Sequence, residues 1–453
     1  MDQELAQYLN IQSASLTNQL MNMAQKVQRK YDYYNADNIA KPLGISMPVK
    51  MQSLTPGVGW ASRAVTTLSD RLKFDGFMND SYGLNTYFDE IYAKPVIDGL
   101  KTDALIAGCS FALLNWNDKA GRYMITPFTA QEATGVIDRK TGLLRIGMAV
   151  LKWGNKPIYP SQSINAYNSY PKDWIITTPQ LNALFVNGRL VQVTENPTGR
   201  NMMQAFTHRA NTDRPLGKSR ISKTVRRIVD EMERVKQRQE VAEEFYSTPQ
   251  RYINGLANGA DVDDKIDLAI GKILKITRDE DGEKPDIGQL GQMSISGFTE
   301  AKKDLARDFC AETGLTLRNL GYETSNPTSA ESLKTMSDDL LLEAQECQRE
   351  LGEQIKQLAI TLRVATDNNP TVPDSLKRIE PVWKPIFQTD VGAMGDAAYK
   401  IIQAMPELAG TTTIYRILGM SMREIEELRA NQTSGQQFTS GNTQESANGG
   451  TSQ

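Results

Sequence analysis

Apolar residues recur at helical spacing from the first residues: Leu5, Leu9, Leu16, Leu20 and Val27 share one face and predict a helix over 2–30. Three prolines between 41 and 58 mark a loop. Helical spacing returns over about 58–71 and again over 84–108, where Pro95 interrupts the pattern and Gly108 ends it. From 109 to 195 the period shortens. FALLNW (111–116), GRYMITPF (121–128), RIGMAVLKW (145–153) and NALFVNGRLVQV (182–193) read as strands, and NDKAG, DRKTG and VNGR between or within them are hairpin signals. The pattern predicts an α+β region built on an antiparallel sheet.

The strongest helical signal covers 217–246. Ile221, Val225, Ile228, Met232, Val235, Gln239, Ala242 and Tyr246 alternate steps of four and three, a seam of about four heptads that Pro249 stops. So narrow a stripe suits packing beside one or two other helices, from this chain or from a neighbouring copy; an ordinary core helix fits the spacing equally well. Lys218, Arg220, Lys223, Arg226 and Arg227 crowd its first half with no acid among them. Cations there oppose the helix dipole by about a few tenths of a kcal/mol each, so an acidic neighbour, a phosphate backbone or plain solvent screening has to compensate.

Residues 247–297 read as a small β-rich insertion with nine acidic and six basic residues, a docking knob or a solvated excursion. A helix follows over about 297–313, then a polar, turn-prone stretch over 314–334. Thr328 or Ser329, with Glu331 in the first turn, caps a long helix to about 365, which is about 50 Å of rise. Leu333, Leu340, Cys347, Leu351, Leu358 and Leu362 form its apolar face, and Asn368-Asn369-Pro370 ends it. A short strand (378–388) and two helices (391–405 and 411–430) precede 431–453, whose polar, aperiodic composition predicts disorder.

Composition narrows the chemistry. The chain of 453 residues is 40% hydrophobic and carries 51 basic against 54 acidic residues, so bulk charge does not hold it to nucleic acid. Cys109, Cys310 and Cys347 are far apart, without CxxC or zinc spacing, and read as small buried apolar residues of a reducing compartment. The one histidine, His208, reads as structural or solvated. Gly217-Lys218-Ser219 looks like the end of a phosphate loop, but Thr212 stands where its first glycine belongs. There is no GxSxG and no GxGxxG after a strand. The acid cluster Asp261, Asp263, Asp264 and Asp267 lacks the calcium-loop pattern and reads as surface rather than as the metal site of a hydrolase. These residues predict no enzyme, no cofactor and no metal. MDQELAQYLN is no signal peptide and no run of 18 apolar residues occurs, so the expectation is a cytoplasmic origin and no membrane partner.

Two stretches carry a family resemblance. THRANTDRPLGKSRISKTVRRIVDEMERVKQRQEVAEEFYSTPQRYINGL and TGLTLRNLGYETSNPTSAESLK resemble the stem and tunnel-loop regions of portal proteins of long-tailed double-stranded DNA bacteriophages, the second through "LG" followed by an "NPTSAE" run and a long helix. The resemblance covers roughly 200–365. It implies an α+β, helix-rich portal architecture that assembles as a ring: wing (1–216), first stem helix (217–246), clip (247–297), second stem helix (298–316), tunnel loop (317–328), long helix toward a crown (329–365) and wing or crown elements (366–430) before the tail (431–453). It further implies a ring of about twelve copies at one capsid vertex of the virion, non-catalytic. Such a ring passes double-stranded DNA transiently and without sequence preference. It docks the terminase large subunit during filling and a head–tail connector protein afterwards. The major capsid protein and a scaffolding protein are further expected partners, with assembly in the host cytoplasm. On this reading Arg318, Asn319, Tyr322, Asn326 and Lys334 face the channel, and Ile221, Val225, Ile228, Met232 and Val235 form the interface between copies. The competing reading is another multimeric phage structural or adaptor protein without a channel.

Overall fold

The computed structural model describes residues 3–41, 56–154, 170–247, 251–254, 286–289, 294–322, 338–386, 391–425 and 427–429. Helix α1 (Gln3–Asn35) is longer than its apolar spacing predicts and serves two cores. Its first half lays Leu9, Leu16 and Leu20 on a five-stranded antiparallel sheet, where they meet Ile146, Met148, Trp174, Ile176 and Phe185. Its second half, from Val27 to Tyr33, joins the main core.

That sheet has the order β4 (Ala133–Ile137), β5 (Leu144–Gly154), β6 (Tyr170–Thr177), β7 (Leu181–Val186) and β8 (Arg189–Glu195). Within the segment 182–193, Asn187 and Gly188 take positive φ and fold the run into the β7–β8 hairpin, as its VNGR signal predicts. A three-stranded sheet stands beside it, with β2 (Cys109–Asn117) between β3 (Arg122–Thr129) and β9 (Met203–Thr207).

Helix α4 (Ala93–Ala107) covers the three-stranded sheet, and α2 (Trp60–Ser69) and α3 (Leu84–Glu90) pack on α4. The helix predicted over 84–108 is two helices. The break falls at Ile91 and Tyr92, the latter left-handed, and Pro95 sits harmlessly in the first turn of α4, where no amide is needed. Strand β1 (Phe74–Met78), between α2 and α3, pairs far along the chain with β12 (Glu380–Trp383).

The other elements run outward and back. Helix α5 (Lys223–Ser247) leads to the hairpin strands β10 (Arg251–Asn254) and β11 (Asp286–Gln289), and α6 (Ser296–Thr313) returns. A 3-10 turn follows at Leu317–Leu320, and α7 (Asp338–Asp367) then crosses the molecule. Leu340, Ala344, Cys347, Leu351, Ile355, Leu358 and Leu362 are its buried face. Helices α8 (Val391–Ala404) and α9 (Thr412–Ile417) follow; Gly419, with positive φ, breaks the helix predicted over 411–430, and helical residues resume over 422–425 and 427–429. The acid cluster at 261–267, Leu333 and the tail 431–453 lie outside the described residues.

Candidate functional site

The run Gly217-Lys218-Ser219-Arg220 is where the outgoing helix pair is rooted. Gly217 has φ +78°, and a Cβ there would lie 2.4 Å from the Gly108 carbonyl oxygen and 2.6 Å from that of His208, so only glycine fits. The next amide, Lys218 N–H, donates to His208 O at 2.7 Å, and the Ser219 hydroxyl donates to Ile106 O. The segment is thereby sewn to the end of α4 and the end of β9. Helix α5 begins only at Lys223, six residues later than the heptad pattern suggests. Ser222 caps it, its Oγ accepting from Val225 N–H at 3.1 Å.

Arg220 is buried and holds four segments together. Its Nε donates to Ala64 O of α2 at 2.8 Å, one terminal nitrogen donates to Thr313 O at the end of α6 at 2.7 Å, and the other meets the Glu343 carboxylate of α7. Arg209 joins the same carboxylate at 3.0 Å. His208 Nδ1 lies 2.8 Å from Lys218 O and so carries the proton, and Nε2 is 3.9 Å from Glu343. Burial pushes the His208 pKa down to about 4, which keeps the ring neutral. Sequence spacing alone shows none of this tie, because Glu343 lies 123 positions beyond Arg220.

The helix pair α5–α6 is antiparallel, since the start of α5 touches the end of α6: Ser222 Oγ donates to Glu312 at 2.8 Å. The far end of α5 therefore lies about 37 Å from the root. Burial falls along that length. Near the root, Val225, Ile228, Val229 and Met232 of α5 and Ala306 and Phe309 of α6 are buried, with Trp60 set against Phe309. Further out Val235, Val241, Ala242, Phe298 and Leu305 are only half-buried, and Ile295 is 42% exposed.

This separates the five residues expected at an interface between copies. Ile221, Val225, Ile228 and Met232 are buried in this chain's own core at 6% exposure or less. The chain's own residues cover them, so the narrow stripe is satisfied there without a neighbour. Val235 alone of the five keeps uncovered apolar surface.

Three of the five crowded cations at the start of α5 find partners inside the molecule. Arg220 has Glu343, Arg227 pairs with Glu231 at 3.0 Å, and Arg226 lies over the Tyr33 ring, 5.9 Å from its centre. Lys218 and Lys223 remain exposed.

Of the expected channel residues, Arg318 is exposed. Asn319 is occupied: its Oδ1 accepts from the Thr316 amide at 3.0 Å and from the Thr316 hydroxyl at 2.6 Å, fixing the 3-10 turn, and its carbonyl accepts from Arg63 Nε at 3.0 Å. Tyr322 is half-buried, and burial raises its pKa. Asn326 and Lys334 lie outside the described residues, as does most of the insertion 247–297. The three cysteines are free. Burial holds Cys109 and Cys347 near pKa 12 and Cys310 near 11, so none is a ready nucleophile. Among the described residues no group of three or more His, Cys, Asp or Glu is placed to hold a metal ion, and no helix is long and apolar enough to cross a membrane.

Fold and root together define a class: an α+β body from which an antiparallel helix pair carries a pair of antiparallel strands outward, with a long helix crossing behind. Comparison with known proteins narrows that class. No family model matches the chain. Along 89% of its length it is 24% identical to the portal protein of Mycobacterium phage D29, covering 84% of that protein. Along 88% it is also 24% identical to the portal protein of Mycobacterium phage L5, covering 83% of that one. Among solved structures it is similar to the neck of an empty gene transfer agent particle computed with C6 symmetry, with TM-score 0.45, 12% identity, 85% of this chain and 98% of the other covered. The neck of the native particle computed with C12 symmetry gives 0.44, 12%, 85% and 97%. The likeness to phage portal proteins first drawn from residues 200–365 thus runs through nearly the whole chain.

Proposed function

We propose that this chain is a portal subunit: copies of it close into a ring at one vertex of a phage capsid, and duplex DNA passes through the central hole during packaging and ejection. The alignment with two portal proteins along almost its whole length carries this reading. The helix pair supports it. A stem whose apolar surface is covered at the root and half-covered further out needs lateral neighbours, and a ring supplies one on each side.

On this reading the ring holds about twelve copies, as portal proteins do, and the stem contact uses the outer half of α5 and α6. The described surface of α6 mixes Lys302, Lys303 and Arg307 with Asp304, Asp308 and Glu312. A conduit must not hold its cargo, because each phosphate neutralised by a fixed cation strengthens binding, and a mixed-sign wall lets DNA slide. Arg318 is the residue best placed to touch phosphates without reading bases; Asn319 and Tyr322 shape the turn that presents it. The hairpin at the far end of the stem would dock the terminase large subunit and later the connector, and the body would meet the major capsid and scaffolding proteins.

Electron microscopy of the purified full-length protein tests the reading. Rings with a central hole and a mass of about a dozen protomers are expected. A chain that stays monomeric at high concentration, or an assembly solid at its centre, overturns it.

A further inference from the structure

Beside the root at Gly217, a cavity of 560 Å³ opens between α1, strand β4 and the loop 214–217. Its apolar walls are Met23, Val27, Val136, Ile137 and Leu216, and it lies within the size range of ordinary ligand pockets. Four cations line it, Lys26, Lys30, Arg139 and Arg214, and no acidic residue does. Lys30 reaches inward, its Nζ donating to Ala107 O at 2.6 Å. Burial, with the nearby cations, pulls its pKa down to about 8. The acids next to Arg139 and Arg214 in sequence are already engaged: Asp138 accepts from the Lys140 amide and the Thr141 hydroxyl in its own turn, and Asp213 is 3.6 Å from Arg214 at the surface. Lys26 and Arg139 are exposed at the mouth.

One wall of the cavity is a sheet edge. Strand β4 is the outermost of its five-stranded sheet, paired with β5 on one side only. On the other side Gln19 Nε2 bonds Gly135 O at 3.1 Å, and among the described residues no strand pairs there. Helix α1 covers the Ala133–Gly135 part of that edge, which is buried, while Val136 and Ile137 stay half-buried beside the cations, so side chains and their charge, not a free backbone edge, choose what enters. We propose that this cavity is a docking site for an acidic peptide segment of a partner protein, with acidic side chains on Lys26, Arg139 and Arg214 and an apolar side chain between Val136, Ile137 and Leu216. The site does not depend on ring formation, so it stands or falls separately from the portal reading.

The probe is an acetylated Asp-Val-Asp-Ile-Asp peptide titrated into the full-length protein by calorimetry, beside Lys-Val-Lys-Ile-Lys and inorganic pyrophosphate. One acidic peptide per chain is expected, weakening as salt rises, with affinity down about tenfold in the Lys26→Glu/Arg139→Glu variant. Both substitutions fall at exposed positions, and an unchanged melting curve verifies the fold. A second variant, Ile137→Asp, puts an acid on the apolar wall and should also weaken the peptide. Absence of binding, equal binding of the lysine peptide, displacement by pyrophosphate at matched concentration, or insensitivity to the charge reversal each overturns the proposal.

Discussion

Gly217 shows how much a single position can fix. With φ +78° and two carbonyl oxygens inside 2.7 Å of any Cβ, Gly217→Ala has to move either the end of α4 or the end of β9. A loss of at least about 2 kcal/mol is expected, read from urea midpoints; a change of a few tenths would mean the segment relaxes freely. Glu343 is the matching case in electrostatics. Removing it leaves the buried Arg220 guanidinium without its anion, so Glu343→Ala should cost about 3 kcal/mol or more.

Acid exposes the third residue-scale feature. The His208 pKa is about 4 in the fold against 6.5 ordinarily. Between those values the unfolded chain binds a proton that the folded chain refuses, so its contribution to stability falls as pH drops from 6.5 to 4. Asp103, raised to about 6 by burial beside Tyr31, works the other way. Between 6 and 3.8 the fold holds a proton that the unfolded chain has released, so stability rises as pH falls. The two offset each other between pH 4 and 6. Asp103→Asn, which keeps an acceptor for Tyr31, should uncover the histidine: about 3 kcal/mol less stability at pH 4 than at pH 6.5. A level curve in that variant would count against a neutral, buried His208.

Among the elements, α5 best shows what the sequence reveals and what it conceals. Its heptad spacing correctly marked a helix with a thin apolar stripe, but periodicity says only that a stripe is covered, never by what. Ile228 and Met232 are covered by the chain itself, so a charge at either should unfold the root. A charge at Val235 or Ala242, further out, should leave the monomer's melting curve nearly unchanged and reduce ring formation at a given concentration. Normal assembly of Val235→Asp and Ala242→Asp would remove the outer stem from the interface. Strand legibility followed alternation and turn residues. β5 and the β7–β8 hairpin show alternation and turn residues, whereas β1, β4 and β9 are five-residue strands, too short for a period to stand out from noise. The pairing of β1 with β12 joins residues some 300 positions apart and is invisible to any local pattern. The turn chemistry of Asn319 was equally hidden. A polar residue in a polar loop reads as available for DNA, while here its side chain is already taken by Thr316.

At the scale of the whole molecule, the two larger cores divide the labour. The smaller one, under the first half of α1, stiffens the five-stranded sheet; the larger one gathers the roots of α5, α6 and α7. A deletion aimed at the channel should therefore spare 317–322, since Leu320 packs on the larger core and Asn319 locks the turn. Removing 323–328 should leave rings intact and impair DNA packaging or retention, scored as filled particles per assembled head. Lost rings would assign those residues to assembly instead.

The Arg220 contact has a mechanical corollary. One guanidinium grips a carbonyl on α2, the terminal carbonyl of α6 and a carboxylate on α7, directly beneath the point where α5 sets out. A twist or tug delivered at the tip of the helix pair cannot dissipate at a loose hinge there. It must either drag α7 along or tear a charge from its counterion, so the pair behaves as a lever with a sprung fulcrum, and a load at one end is felt on the far side of the subunit.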